Sequence, residues 1–399
     1  MKVLQINSFF SVGGPPRIVN GIYDTLKEQG HECKIAAARE VTYAPEDSWR
    51  IGNGLDVKIN GIKARIFDNE GFNAKKATRE LIKKIEEYDP DVIHLHNLHG
   101  YCINVEILFD YLKKADKKVF WTLHDCWAFT GHCAHFMLAK CNKWQTKCEN
   151  CPQKYVYPSS KVFSNAENNF TRKKAAFTGV RDMTIITPSQ WLAGLVKQSF
   201  LKEYPVKVVH NGIDTSVFKP TESDVRGKYG LEDKKIIIGV AQNWGKSKGL
   251  DDFIKLSTML DEDYKIVLVG LTEKQVSELP DNIIKITRTK NATELAEWYT
   301  AADLFVNTTY EDTYPTVNLE AQACGTPAVT YRTGGSPESV PEAHVVEAGD
   351  IDVLAELIKE ICSTDSPEVN DASNYERKTR YTEYIELYLG EGSAVKEKV

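Results

Sequence analysis

The stretch from Thr309 to Pro327, TYEDTYPTVNLEAQACGTP, sets acids ahead of a helix start and another acid inside the helix. Proline suits the first turn of a helix, because the amide hydrogen it lacks would have no partner there. With Pro315 in that place, the amides of Thr316 and Val317 stand free at the positive end of a helix, a seat for an anion. Glu320 falls about one turn further in, where a carboxylate can accept from both hydroxyls of a ribose. Glu311 and Asp312 can hold hydroxyls of a second sugar. Phosphate, ribose and sugar recognised in one loop spell a nucleotide-sugar. An exposed helix acid is the plain alternative for Glu320 alone, and the three features together outweigh it.

Other glycine-bearing loops carry weaker signals. In Asn243–Gly249, NWGKSKG, Lys246 and Lys248 could bind a diphosphate, since ammonium groups pair well with phosphate oxygens; solvated lysines are the plain alternative. In GGPPR, Gly13 and Gly14 would let a ligand approach the backbone at a helix start. A bare strand-to-helix turn explains it as well. TGGSPES, from Thr333 to Ser339, is a further loop of this kind.

A different chemistry is suggested by HDCWAFTGHCAHFMLAKCNKWQTKCENCPQ, from His124 to Gln153. Cys133, Cys141, Cys148 and Cys151 are spaced x7, x6 and x2. Four thiolates suit a closed tetrahedral zinc site, which leaves no open position and so predicts structure rather than catalysis. His132 and His135 could replace a thiol. Disulfides, free thiols and an iron–sulfur cluster are the competing readings. The other five cysteines (Cys33, Cys102, Cys126, Cys324, Cys362) are scattered and read as small buried residues.

The elements that must position these loops alternate. KVLQIN leads through a glycine turn to a helix from about Arg17, ended at Gly30. Strands CKIAAA, VIHLH, KVFWTLH, MTIITPS and VKVVHNG follow, separated by helices over roughly 74–87, 103–114 and 164–178 and one from Gln190. Residues 57–67, VKINGIKARIF, read as a hairpin around Asn60-Gly61. The polar, turn-rich IDTSVFKPTESDVRGKYGLEDKK is the candidate linker. Beyond it the alternation restarts with IIIGVA, KIVLVG, IIKIT, LFVN and PAVT, and a helix at about 374–389 closes the chain. Alternating strands and helices on both sides of a linker predict an α/β protein with two doubly wound parallel sheets. Ligands in such sheets bind beyond the carboxyl ends of strands, where the loops above lie.

Length and composition agree. The 399 residues suggest two domains, and 42% hydrophobic with 27% charged residues is a globular balance. A formal charge of −6 argues against a nucleic-acid partner. The opening MKVLQINSFFSVGG reads as a strand rather than a signal peptide, which points to the cytoplasm. Lys154, Lys161, Arg172, Lys173, Lys174 and Arg181 could face an anionic membrane surface, although a solvated helix face is the commoner role for such a set.

YEDTYPTVNLEAQACGTPAVTYRTGGSPE resembles the signature of retaining family-four glycosyltransferases with the GT-B fold. GVAQNWGKSKGLDDF, VKVVHNGIDTSVFKP, the early GG and TLHD stand around it in the family's order. The resemblance spans nearly the whole chain, apart from the cysteine segment. It implies two Rossmann-like domains facing across a cleft: an acceptor-side domain over 1–215 with a cysteine-rich insertion at 126–155, a donor-binding domain over 216–371, and a helix over 372–399 returning to the first. It implies transfer of a sugar from a nucleotide-diphosphate-sugar to a glycan or lipid-linked acceptor in polysaccharide or glycan biosynthesis, with no cofactor required for catalysis. Asp312 takes the position where the family usually has a glutamate, eight residues before Glu320, with Glu311 one residue early. Lys248 matches the family lysine that holds the diphosphate. The arginine five residues before it is Asn243 here, and Lys246 is the candidate substitute. His124 matches the histidine that contacts the transferred sugar. Catalytic roles are thus expected for His124, Lys248, Asp312 and Glu320, and donor contacts for Gly13, Gly14, Asn243, Lys246, Glu311, Thr316 and Val317. A nucleotide-sugar 2-epimerase on the same fold and a non-catalytic sugar-nucleotide-binding protein are the rival functions. Donor identity, acceptor identity and oligomeric state are not encoded in any legible motif.

Overall fold

A computed structural model describes residues 1–10, 14–39, 45 and 47–390. The chain forms two compact units, Met1–His210 with Lys378–Val399, and Asn211–Arg377.

The first unit is built from β1 (Lys2–Ile6), α1 (Gly14–Glu28), β2 (Glu32–Ala37), β3 (Trp49–Arg50), α2 (Gly54–Phe67), α3 (Lys75–Tyr88), β4 (Val92–Leu95), α4 (Val105–Leu112), β5 (Lys118–Thr122), α5 (Ala166–Phe177), β6 (Met183–Thr187), α6 (Gln190–Gln198) and β7 (Val206–Val208). Its seven parallel strands run in the order β3-β2-β1-β4-β5-β6-β7. Every residue of β4 is buried, as expected of a strand covered by helices on both faces.

The second unit contains α7 (Val225–Tyr229), β8 (Lys235–Val240), α8 (Leu250–Met259), β9 (Tyr264–Val269), α9 (Glu273–Glu278), β10 (Ile283–Ile286), α10 (Ala292–Ala301), β11 (Leu304–Asn307), α11 (Thr316–Ala323), β12 (Ala328–Tyr331), β13 (Val345–Val346) and α12 (Ile351–Ser363). Its six parallel strands run β10-β9-β8-β11-β12-β13. In each sheet the strand order reverses direction once, between β1 and β4 and between β8 and β11, and these are the switch points where a crevice opens.

Residues 57–67 form a helix and not the expected hairpin. Asn53 caps α2 by accepting from the Asp56 amide at 2.9 Å. Asn60-Gly61 lies mid-helix. A side chain at Gly61 would come within 3.3 Å of the Tyr101 ring, so glycine lets the helix sit close to that residue. The polar segment after Ile213 is also more than a linker: Phe218 and Val225 are buried in the second unit's core. The last helix, α13 (Arg377–Leu389), packs Tyr381, Tyr384, Ile385 and Tyr388 into a core shared with Ile18, Ile22 and Leu26 of α1. Gly21 admits it; a Cβ there would lie 1.9 Å from the Tyr381 ring. Among the described residues no helix is long and apolar enough to cross a membrane.

Candidate active site

In the second unit the two predicted loops meet. A short 3-10 turn at Lys246–Lys248 follows β8 and ends on Gly249, whose φ of +67° favours glycine. A side chain at Gly249 would be 2.3 Å from the Thr308 carbonyl oxygen, so the turn lies directly on the loop after β11. The Ser247 carbonyl accepts from the Tyr310 amide at 2.8 Å. The ammonium of Lys248 donates to Asp312 Oδ2 at 2.8 Å, and to Thr309 Oγ1 and the Glu311 carbonyl, each at 3.2 Å. The predicted phosphate lysine and the predicted sugar acid are thus one ion pair, each partner still partly exposed. The TGGS loop closes the far side: Gly335 donates to the Asp312 carbonyl at 3.2 Å, and Gly334, with φ +55°, leaves no room for a side chain against it.

α11 begins at Thr316 with Pro315 in the capping position and no side-chain cap. The half-buried Thr316 and Val317 therefore carry first-turn amides free for an anion. Glu320 is buried at 4% exposure and accepts from the Tyr299 hydroxyl at 3.4 Å. Glu311 is buried at 7%. Lys246 and Asn243 are exposed on the loop after β8.

The first unit offers a different surface at its strand ends. His124 follows β5, and its Nε2 lies 3.1 Å from His96 Nδ1, with the rings stacked at 5.4 Å. His96 Nε2 in turn lies 3.2 Å from Gln5 Oε1, and the His94 and His96 rings are 4.0 Å apart. Burial pushes the His124 pKa down to about 4, and burial with the neighbouring imidazoles holds His94 and His96 well below the usual histidine range. All three are neutral near pH 7 and can exchange hydrogen bonds without carrying charge.

Next to them, His99 Nε2 lies 2.8 Å from Asp125 Oδ2, and His99 Nδ1 lies 3.0 Å from the Tyr157 hydroxyl. Burial raises the Asp125 pKa, but the charge and hydrogen bond of His99 outweigh it and take the carboxyl down to about 2. Behind this pair Glu70 is buried, with Oε1 accepting from the amides of Gly100 and Tyr101 at 2.6 and 2.9 Å and Oε2 without a partner. Burial raises its pKa, against those two amide bonds. Sequence reasoning missed His96, His99, Asp125 and Glu70. The signal was present for His96: VIHLH puts His94 and His96 two residues apart in an apolar strand, hence on one face.

Gly13 lies outside the described residues. Gly14 is exposed at the first position of α1, and a Cβ there would meet nothing within 4 Å. Close packing of the protein therefore does not require glycine there.

The four predicted thiols, Cys133, Cys141, Cys148 and Cys151, all line one small cavity of about 10 Å³ with Phe136 and Trp144. The Cys133 thiol is hydrogen-bonded to Cys151; Gly131 donates its amide to Cys148, and Gln153 to Cys151. All four are free thiols. His132 is committed elsewhere, at Asp68 and the Val156 carbonyl. Among the described residues no three His, Cys, Asp or Glu side chains are placed as a ready-made metal-binding set. The basic set expected at 154–181 does not form one face: Lys173 is buried, donating to the Trp127 and Thr130 carbonyls, and Arg172 is paired with Glu106.

Two doubly wound parallel sheets define a Rossmann-like protein of two units, the second with a lysine–acid pair and an open helix start at its switch point. Comparison with known proteins places the chain. The Glycosyltransferase Family 4 profile matches residues 12–217, and that of Glycosyl transferases group 1 matches residues 221–379. The protein belongs to glycosyltransferase family 4 and has the GT-B fold. It is 23% identical over 317 residues to a protein named as the colanic acid biosynthesis glycosyl transferase WcaC of Escherichia coli, covering 75% of this chain and 76% of that one. It is 26% identical over 184 residues to the D-inositol 3-phosphate glycosyltransferase of Mycolicibacterium smegmatis, covering 42% of each. Among solved structures, sucrose-phosphate synthase from Thermosynechococcus elongatus superposes with a TM-score of 0.68 at 16% identity, covering 98% of this chain and 97% of that one. Anabaena HepE in complex with UDP and glucose gives 0.68 at 16% identity, covering 98% and 100%.

Proposed function

We propose that this glycosyltransferase moves a sugar, with retention of configuration, from a nucleotide-diphosphate-sugar to a glycan or lipid-linked acceptor in polysaccharide or glycan biosynthesis in the cytoplasm. The observation that carries the reading is the Lys248–Asp312 pair beside the uncapped start of α11. Lys248 and the amides of Thr316 and Val317 stabilise charge as it develops on the departing diphosphate. Asp312, with Glu311, binds sugar hydroxyls, and Glu320 the ribose. The bond from the anomeric carbon to the phosphate oxygen breaks, and the acceptor oxygen joins the same face. The acceptor proton passes to the leaving phosphate. His124, held neutral, hydrogen-bonds the transferred sugar. Relatives named for colanic acid biosynthesis and as a D-inositol 3-phosphate glycosyltransferase support glycan-building chemistry, and UDP in a related fold supports the donor class.

Purified protein incubated with nucleotide-sugars and candidate acceptors is expected to release nucleoside diphosphate only when an acceptor is present, and the product to keep the donor's anomeric configuration by NMR. Isomerised nucleotide-sugar formed without acceptor would replace the transferase reading with the epimerase one. Lys246 is read as the substitute for the family arginine at Asn243; unchanged donor affinity in Lys246→Ala rejects that role.

The four thiols are read as the ligands of one structural Zn²⁺, a clamp that would supply folding stability and no reaction step. The amide donors to Cys148 and Cys151 suit thiolates. Elemental analysis of protein purified under reducing conditions should give close to one zinc per chain; less than about one-third rejects the site.

A further inference from the structure

α2 is packed the wrong way round for a helix that only serves a core. A surface helix normally turns its large apolar side chains inward and its polar ones to water. Here the fully buried residues of α2 are Gly61 and Ala64, while Leu55, Ile59, Ile62 and Phe67 are 41–66% exposed. Leu55, Ile59 and Ile62 recur at intervals of four and three and so form one outward stripe.

The stripe continues into a second segment. Lys161 donates its amide to the Arg65 carbonyl at 2.7 Å and Phe163 to the Ile66 carbonyl at 3.1 Å, which lays residues 160–163 along the end of α2. Phe163 stacks on Phe67 with centroids 5.8 Å apart and planes 5° apart, and both rings are about half exposed. Of the thirteen large apolar side chains exposed among the described residues, nine fall in 55–67 or 155–163. Scattered exposed apolar residues are ordinary, whereas a contiguous set marks a binding surface.

Charge selects the occupant. The chain as a whole is negative, at −6. Over 54–67, however, Lys58, Lys63 and Arg65 face one acid, Asp56, and the adjoining segment adds Lys161; all four cations are exposed. Apolar side chains with aromatic members, rimmed by cations on a helix lying at the surface, match the boundary between lipid head groups and acyl chains of an anionic bilayer. We propose that the outward face of α2, with residues 160–163, docks this protein on an anionic membrane surface. The proposal does not depend on which sugar is transferred or whether retention is correct.

The test is sedimentation of the full-length protein with vesicles. With phosphatidylcholine vesicles containing one-third phosphatidylglycerol, binding should exceed that to pure phosphatidylcholine by about tenfold or more and fall with added salt. Ile59→Glu/Ile62→Glu should lower that binding by about tenfold or more, with donor-induced thermal shift and circular dichroism unchanged. Because the replaced side chains are exposed, the variant is expected to fold. No binding to the anionic vesicles, or equal binding by the variant, overturns the proposal. A wild type that is dimeric by light scattering and a monomeric variant, with no vesicle binding by either, would assign the face to a second copy of the chain and overturn it likewise.

Discussion

The strand ends of the two units share a backbone plan and differ in charge. Beyond β8 and β11 the loops carry an ion pair and an uncapped helix start, both able to meet phosphate. At the ends of β4 and β5 stand His94, inside β4, with His96 and His124 just past the strands, three imidazoles that burial keeps neutral. One set of strand ends presents charged groups and an open helix start, and the other presents imidazoles that carry no charge. The difference lies in the loops: strand order fixes where a crevice opens, and the residues just past the strand ends fix what enters it.

The largest effect is expected at the charged end. Lys248→Ala should reduce kcat by about a hundred- to a thousandfold and weaken donor binding, while circular dichroism stays native. Retained turnover would break the contrast at its strongest point. His124→Ala should lower kcat by about a hundredfold and leave the donor-induced thermal shift of the protein nearly intact. If donor affinity falls and turnover does not, the two ends do not divide the work as described.

Cys148→Ser separates stability from chemistry. It should lower Tm by about 5 °C or more before it changes kcat measured at low temperature. A smaller effect belongs to the neutral histidines. The His124 pKa, about 4 in the folded protein, lies below the ordinary value of 6.5. The unfolded chain therefore binds more protons between those values, and stability falls as pH drops through that window. Tm measured from pH 7 to pH 4 should decline, and His124→Gln should flatten part of the decline; an unchanged slope would show that His124 is not held neutral by folding.

Much of the second unit's candidate site was legible because its parts are local. The acids, Pro315, the helix amides and Glu320 lie within ten residues of sequence, so a short loop and one helical turn keep them together. In the first unit His124 was legible through the resemblance but its partner His96 was not, because the two come from different strands and meet only through the pairing of β4 with β5. The hairpin expected at Asn60-Gly61 failed for a related reason. That dipeptide is a turn signal in isolation, but Val57, Gly61 and Ala64 share a helical face on which Gly61 fits close to Tyr101.

By itself, the sequence determined the alternation of strands and helices, the charged and glycine-bearing loops beyond the strands, and the family to which the chain belongs. Each follows from short-range periodicity and from residue types at fixed spacing. Tertiary structure decided that Lys248 and Asp312, far apart in sequence, neutralise each other, that the strand-end histidines are uncharged, and that α2 turns its apolar side outward. Those outcomes depend on burial and on which strands become neighbours, and neither quantity is a property of any short stretch of chain.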